Sequence, residues 1–239
     1  PVKAIKIING QAEVIASRCI GCGNCTRVCS QNAKVFLDTT DEAGEIINGD
    51  ATRVACLAPS FPAEFCEIKD YRILVGMIKK LGFDHVVEVA FGADLVAHEY
   101  QKILDAEGPD DTISSDCPAV TYYVQYYYPD LAKSLSRVVS PMVATARVVK
   151  DLYGMDCKTV FIGPCVAKKA ESAEIDVVLT FIELRKLFSQ KGITADNVQP
   201  SEFDGPIGGK AAIFPVTRGK LHSVDKSGDI CEENIFVAS

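Results

Sequence analysis

The chain has 239 residues, of which 48% are hydrophobic, enough for a real core and for more than one domain. A net charge of -7 and the lack of any Lys and Arg run argue against a nucleic-acid partner. Its longest apolar stretches, about ten residues, are too short for a helical membrane span.

Ten cysteines are many for a reduced compartment unless some bind metal. A secreted disulfide scaffold is the alternative. It fits poorly, because Cys19, Cys22, Cys25 and Cys29 crowd together where neighbours cannot readily bridge each other. The start, Pro1-Val2-Lys3-Ala4-Ile5, has no apolar core of a signal peptide, so a cytoplasmic, metal–thiolate protein is expected.

In chain order, Ala4–Ile8 reads as a strand, Asn9-Gly10 as a tight turn and Ala12–Ile15 as the returning strand. The cysteine run follows, and residues 38–50, acidic and glycine-containing, read as a linker or hairpin. From about residue 51 the pattern becomes α/β. Strands are expected at 54–58, 86–89, 112–114, 159–162 and 176–179, with helices at 69–81, 93–106, 119–128, 141–153 and 182–189. Such alternation predicts a mostly parallel sheet flanked by helices. Cys117 and Cys165 both fall where an expected strand gives way to Cys-Pro or Pro-Cys, and open sheets place their chemistry at strand ends. Buried core thiols are the bland alternative for both.

The run Cys19-x2-Cys22-x2-Cys25-x3-Cys29 has the spacing of a bacterial ferredoxin site. A tight loop with Gly21 and Gly23 can aim three thiolates at one [4Fe–4S] cube, while the fourth cysteine serves a neighbouring cluster. A structural zinc site normally separates its cysteine pairs by a longer span. The second run expected of a two-cluster ferredoxin does not follow Cys29. Pro1–Ile7 looks like the segment after a final cluster cysteine, so a first run is expected upstream of this chain and the cluster is expected to be held weakly here. Cys56, Cys66 and Cys157 read as buried core thiols, with Cys56 or Cys66 as substitute ligands at best.

Several motifs together resemble the iron-only ([FeFe]) hydrogenase family, in particular its short, divergent, sensory members. Ala58-Pro59-Ser60 is similar to the family's first strand-end element, and Phe91–Leu95 followed by Glu99 to its "GAD…ME" stretch. Ser114–Ala119 resembles "TSCCPAW", Gly163–Lys169 with Glu171 resembles "MPCxAKKxE", and Asp176–Thr180 leading to Glu183-Leu184 resembles "DxVLTxxEL". The resemblance implies an H-cluster, a [4Fe–4S] cube joined through a thiolate to a diiron unit, and reversible reduction of protons to H2. It implies Cys117 and Cys165 as two cube ligands, Lys168 as a donor to the diiron unit, and Pro59 and Ser60 lining that pocket. Electrons would arrive through the N-terminal cluster from ferredoxin or another redox protein. The bland reading of Lys168 and Lys169 is a solvated helix start.

Departures accompany the match. Asp116 stands where catalytic members have a proton-passing cysteine, while Glu99 and Ser136 match the remaining proton-path positions. A carboxylic acid can relay protons, and a turn cap accepting backbone N–H groups is the alternative for Asp116. Gly163 replaces a methionine and Val120 a tryptophan of the cofactor's surroundings. The last family motif, "ExxxCPGGC", with the remaining two ligands, does not appear, and Cys231 reads as an ordinary cysteine. The expectation is therefore a chain truncated at both ends: a partial ferredoxin-like unit at 1–36, a linker at 37–50, and an incomplete hydrogenase-like α/β domain at 51–239. On this reading the fragment is inactive and the parent turns over H2 or senses it, with a signalling domain fused beyond Ser239 in the sensory case. A cubane-only electron carrier or an iron–sulfur assembly protein is the alternative. The tyrosines at 122, 123, 126, 127 and 128 read as packing rather than a stacking platform.

Overall fold

The structure is a computed structural model describing residues 2–106 and 112–224. The inferences drawn from Pro1 and Cys231 lie outside the described residues.

The N-terminal unit is a hairpin of β1 (Ile5–Ile8) and β2 (Gln11–Val14), antiparallel with Ile5 opposite Val14 and Ile8 opposite Gln11. Asn9 and Gly10 both take positive φ, 50° and 77°, the two-residue turn whose twist suits the strands it joins. A 3-10 turn at Ala16–Arg18 leads into the cysteine loop and the short helix α1 (Asn24–Arg27).

Residues 40–47 correct the linker-or-hairpin reading: they form helix α2 (Thr40–Ile47), with Ala43 and Ile47 buried in the main core. The acidic character belongs to its first turn, where Asp41 and Glu42 face the positive end of the helix dipole.

The second sheet is fully parallel, in spatial order β4-β3-β5-β6, from β3 (Arg53–Leu57), β4 (His85–Glu88), β5 (Lys158–Gly163) and β6 (Val177–Thr180). Its central strands are almost entirely buried: Val54, Ala55, Val160 and Ile162 are inaccessible to solvent. The flanking helices are α3 (Phe61–Glu64), α4 (Tyr71–Leu81), α5 (Val89–Asp105), α6 (Pro118–Tyr127), α7 (Pro141–Tyr153), α8 (Phe181–Gln190) and the short α9 (Gly219–Ser223). Local chemistry sets their ends. The Asp70 side chain caps α4, Gly82 at φ 123° ends it, and Thr180 with Glu183 forms a reciprocal capping box on α8. α5 starts at Val89, earlier than its apolar spacing suggests, and the strand expected at 112–114 is only a single bridge between Ile113 and Leu135.

This order places the site. The chain leaves β3 toward β4 on one side and later returns as β5 on the other, so the crevice of the sheet lies between the carboxyl ends of β3 and β5. Those ends are Ala58-Pro59-Ser60 and Gly163-Pro164-Cys165, held in register by the Ala58 N–H donating to the Ile162 carbonyl at 2.8 Å.

Candidate metal centre

In the N-terminal loop Cys22 is exposed, Cys19, Cys25 and Cys29 are half-buried, and all four are free thiols. Gly21 and Gly23 adopt φ of 67° and 72°, a conformation open to glycine and strained for other residues, which lets the loop curl tightly. It curls against the far site. A Cβ on Gly23 would lie 2.6 Å from Val166 Cγ2, and one on Gly21 would lie 3.9 Å from Ala167. The Ala33 N–H donates to Cys29 Sγ at 3.3 Å, and this bond, with the backbone at Gln31, lowers the thiol's pKa and favours the thiolate. Among the described residues no group of three or more His, Cys, Asp or Glu is already disposed to hold a metal ion. The remaining thiols divide differently from the sequence reading. Cys56 and Cys157 are buried, and burial, with Cys157 nearby, pushes Cys56 up to about 12, whereas Cys66 is exposed rather than part of the core.

At the sheet crevice, Cys165 is half-buried at the end of β5, and Cys117 is exposed at the start of α6. Lys168 joins their two loops. Its ammonium donates to the Asp116 carbonyl at 2.9 Å and pairs with Glu171 at 2.5 Å, both side chains 14% exposed. Lys169 turns the opposite way, into the most buried ion pair described. It lies 2.9 Å from Glu183 and donates to Thr39 Oγ1 and the Val178 carbonyl. Burial opposes ionisation of Glu183, but N–H groups of Thr39 and Thr180, the Thr180 hydroxyl and Lys169 outweigh it and lower its pKa. Neither lysine is a solvated helix start.

The Asp116 carboxylate accepts from Ser114 Oγ at 2.9 Å and from the Lys220 ammonium, so side chains rather than backbone N–H groups hold it. Lys220 also donates to Ser114 Oγ at 2.6 Å and sits 3.2 Å from the Tyr100 ring centroid, a cation–π contact. Among the described residues, Glu99 and Ser136 make no direct hydrogen bond to this cluster. Glu99 is exposed and pairs with Lys102 at 2.7 Å, while Ser136 Oγ accepts from the Val138 N–H at 3.1 Å. Gly163 explains why no methionine stands there: a Cβ would meet the Phe161 ring at 2.7 Å and Ala58 Cβ at 3.0 Å.

Two further ties complete the site. Asp94, part of the quoted "GAD" stretch, accepts from the N–H groups of Gly209 and Ala211 at 2.5 and 2.9 Å, strapping the glycine-rich segment onto α5. Tyr122 and Tyr127 of α6 donate to backbone carbonyls, Tyr122 to Ala170 at 2.8 Å and Tyr127 to Val2 and Arg18 at 3.1 and 3.0 Å. Sequence reasoning missed Lys220, Tyr100, Phe161 and Val166. All four act through partners, and for Lys220, Tyr100 and Val166 those partners lie far away in the chain. The donor set fits a [4Fe–4S] group at the N-terminal loop, where four thiols flank two left-handed glycines. At the crevice it fits in part: Cys117 and Cys165 could supply two thiolates, and Lys168 ties their loops together.

The family described as "Iron only hydrogenase large subunit, C-terminal domain" matches residues 51–233, and the "4Fe-4S binding domain" matches residues 12–35. The chain belongs to the iron-only hydrogenase family. It is similar to the NADP-reducing hydrogenase subunit HndD of Solidesulfovibrio fructosivorans, 30% identical over 86% of this chain and 42% of that protein. It is also similar to the cytosolic Fe-S cluster assembly factor NAR1 of Yarrowia lipolytica, 23% identical over 77% of this chain and 45% of that protein. Among solved structures, an [FeFe]-hydrogenase HydA1 from Chlamydomonas reinhardtii aligns with a TM-score of 0.60 at 25% identity, covering 72% of this chain and 52% of that one. The chain thus spans less than half the length of these curated relatives. As an iron-only hydrogenase domain it carries the expected α/β sheet, preceded by a ferredoxin-like iron–sulfur unit. Among the described residues no helix is long and apolar enough to cross a membrane.

Proposed function

We propose that this chain is the electron-input and cofactor-binding part of an iron-only hydrogenase-like protein. Cys19, Cys22 and Cys25 would hold a [4Fe–4S] cluster, with Cys29 serving a neighbouring one. Cys117 and Cys165 would supply two ligands to the cube of an H-cluster. When bound, that cofactor supplies the chemistry of reversible proton reduction or of H2 sensing. The single observation that carries the reading is the packing of Gly21 and Gly23 directly on Ala167 and Val166, beside Cys165. It lays the backbone of one cysteine loop against the turn that holds the other, with no intervening element.

The protein's own residues divide the work. Lys168, tied to Glu171 and to the Asp116 carbonyl, fixes the Cys165 turn relative to the Cys117 loop and presents a cation beside an anionic site. Pro59 and Ser60 close the β3 side of the crevice. Asp116 takes the place of a thiol as the nearest proton-holding group, and Lys220 fixes its orientation. Glu99, at the protein surface, pairs with Lys102 and is the solvent-facing end of any proton route. Ferredoxin or another redox protein is the expected electron partner. The Asp116–Lys220 pair, Gly163 and Val120 favour low turnover and a sensory role, with a signalling module elsewhere in the full protein.

A second reading, a cubane-only electron carrier or assembly protein, draws support from the same ion pair, which places two charged groups beside Cys117. The test of the N-terminal assignment is iron and sulfide analysis with electron paramagnetic resonance on the full-length protein and its Cys19→Ser variant. Loss of one cubane's iron and signal in the variant is expected. A variant with full iron content and an unchanged spectrum would overturn the assignment.

A further inference from the structure

Five of the chain's eight tyrosines, and none of its eleven phenylalanines, fall between residues 122 and 128. They form two short ladders on α6 and its C-terminal cap. In one, Tyr127 stacks on Tyr123 at 5.3 Å between ring centroids, and Tyr123 meets Tyr128 edge-on at 5.5 Å. In the other, Tyr122 stacks on Tyr126 at 5.8 Å. These are the separations of aromatic rings in contact. Packing alone does not account for them. Tyr123, Tyr126 and Tyr128 are 38%, 47% and 49% exposed, and the residue that α6 buries among them is Val124. A phenylalanine would stack as well. What tyrosine adds is a hydroxyl, whose proton can leave together with an electron.

Each ladder is rooted on a segment that carries a cysteine. Tyr127 donates to the carbonyl of Arg18, the residue before Cys19, and to that of Val2. Tyr122 donates to the carbonyl of Ala170, at the end of the 3-10 turn that follows Cys165. Both ladders therefore run from a half-buried inner ring beside a cysteine segment to an exposed outer ring. The hydroxyl hydrogen bond between Tyr128 and Tyr123 pushes the Tyr123 phenol up, so it keeps its proton well above neutral pH and loses it only with an electron.

We propose that the Tyr127–Tyr123–Tyr128 ladder is a protective relay, which carries an electron from the N-terminal cysteine loop outward to one-electron oxidants at the protein surface. The proposal rests on the assignment of residues 19–29 as a cluster loop. The oxidant is a small radical of the hydroxyl or peroxyl class. It takes one electron from Tyr128, which Tyr123 and then Tyr127 refill in turn, and Tyr127 recovers its electron from the reduced cluster. Each ring that gives up an electron gives its phenolic proton to water and takes a proton back when it is refilled. The oxidant is thus reduced by one electron and the cluster oxidised by one, while every tyrosine ends unchanged.

The test uses the full-length protein with its clusters loaded and reduced anaerobically. Pulse radiolysis in azide buffer supplies azidyl radical, a one-electron oxidant of exposed phenols, and the tyrosyl radical and the cluster are followed by their separate absorptions. In the wild type the radical should decay in step with cluster oxidation, in a fast phase that is absent when the cluster has been oxidised beforehand. Tyr123→Phe and Tyr127→Phe keep the ring stacking and should each lose the fast phase, leaving a long-lived radical. Tyr71→Phe, at an exposed tyrosine of α4, should retain it. Iron content and the cluster's electron paramagnetic resonance signal should be the same in all three variants. A fast phase retained in both α6 variants, or a radical decay indifferent to the redox state of the cluster, would overturn the proposal. Wild-type protein without a reducible N-terminal cluster fails the cluster assignment itself, whereas a loaded, reducible protein without the fast phase fails only the relay.

Discussion

Replacing Gly23 by alanine perturbs the contact between the cysteine loop and the Cys165 turn without touching any thiol. Two costs follow from the geometry. Holding alanine at φ 72° costs about 1–2 kcal/mol, the penalty of the left-handed region for a residue with a Cβ. The new methyl would also lie 2.6 Å from Val166 Cγ2, well inside the roughly 3.5–4.0 Å at which carbons meet comfortably. Overpacking of this kind adds about 1–3 kcal/mol, giving roughly 2–5 kcal/mol in all against the docked loop. Shortening Val166 to alanine removes the offending atom, so the double variant should recover the overlap cost and keep only the backbone cost. Hydrogen exchange at residues 19–29 and 165–170, with urea denaturation alongside, reads both effects. Gly23→Ala should raise exchange in both segments, and Val166→Ala should partly reverse it. Strictly additive effects, or a Gly23→Ala protein with wild-type protection, would refute the packing argument and with it the direct path between the two loops.

Other expected outcomes are narrower. Lys169→Met leaves the Glu183 carboxylate buried at 3% exposure without its cation and should cost about 3–5 kcal/mol in urea denaturation, far more than Lys102→Met at an exposed pair. Because Glu183 has a lowered pKa in the folded chain, its contribution is present above the unfolded value of about 4.3 and is lost as pH falls through the folded value. Acid titration of stability should therefore show a loss below about pH 4 that Glu183→Gln reduces. Gly163→Met should destabilise by about 1–3 kcal/mol against the Phe161 ring, and Phe161→Ala in the same chain should restore part of it; a freely tolerated single substitution would contradict the crowding. Asp116→Cys frees Lys220 from its ion pair and, in the full-length loaded protein, should raise H2 turnover measured by gas chromatography; unchanged or lower turnover would count against Asp116 as the altered proton-holding position.

Much of this arrangement was legible because it is local. The alternation of β-branched strands and amphipathic helices needs only period and punctuation, so the parallel sheet and the strand ends at Ala58 and Gly163 follow from the residues themselves. The cysteine spacing and its two glycines likewise carry their own geometry. Helix α2 was hidden because its acidic, glycine-containing stretch has a loop's composition, and burial of Ala43 and Ile47 against the main core anchors it as a helix. Lys168 and Lys169 are adjacent and chemically identical, yet one ties two cysteine loops together and the other neutralises a core carboxylate. Only the fold distinguishes them. The partner of Asp116 lies 104 residues further along the chain, and no local pattern announces Lys220. Phe161 and Gly163 illustrate a related limit: the residue that crowds out a methionine stands two positions earlier, in a strand whose pattern says only that it is buried.

The most direct test is the infrared spectrum of the full-length protein, produced anaerobically together with the hydrogenase maturation machinery. Sharp bands where metal-bound CO and CN absorb are expected, reduced or lost in the Cys165→Ser variant. A protein with its full iron content and no such bands would contradict the H-cluster assignment and leave cubane electron transfer as the function of this fold.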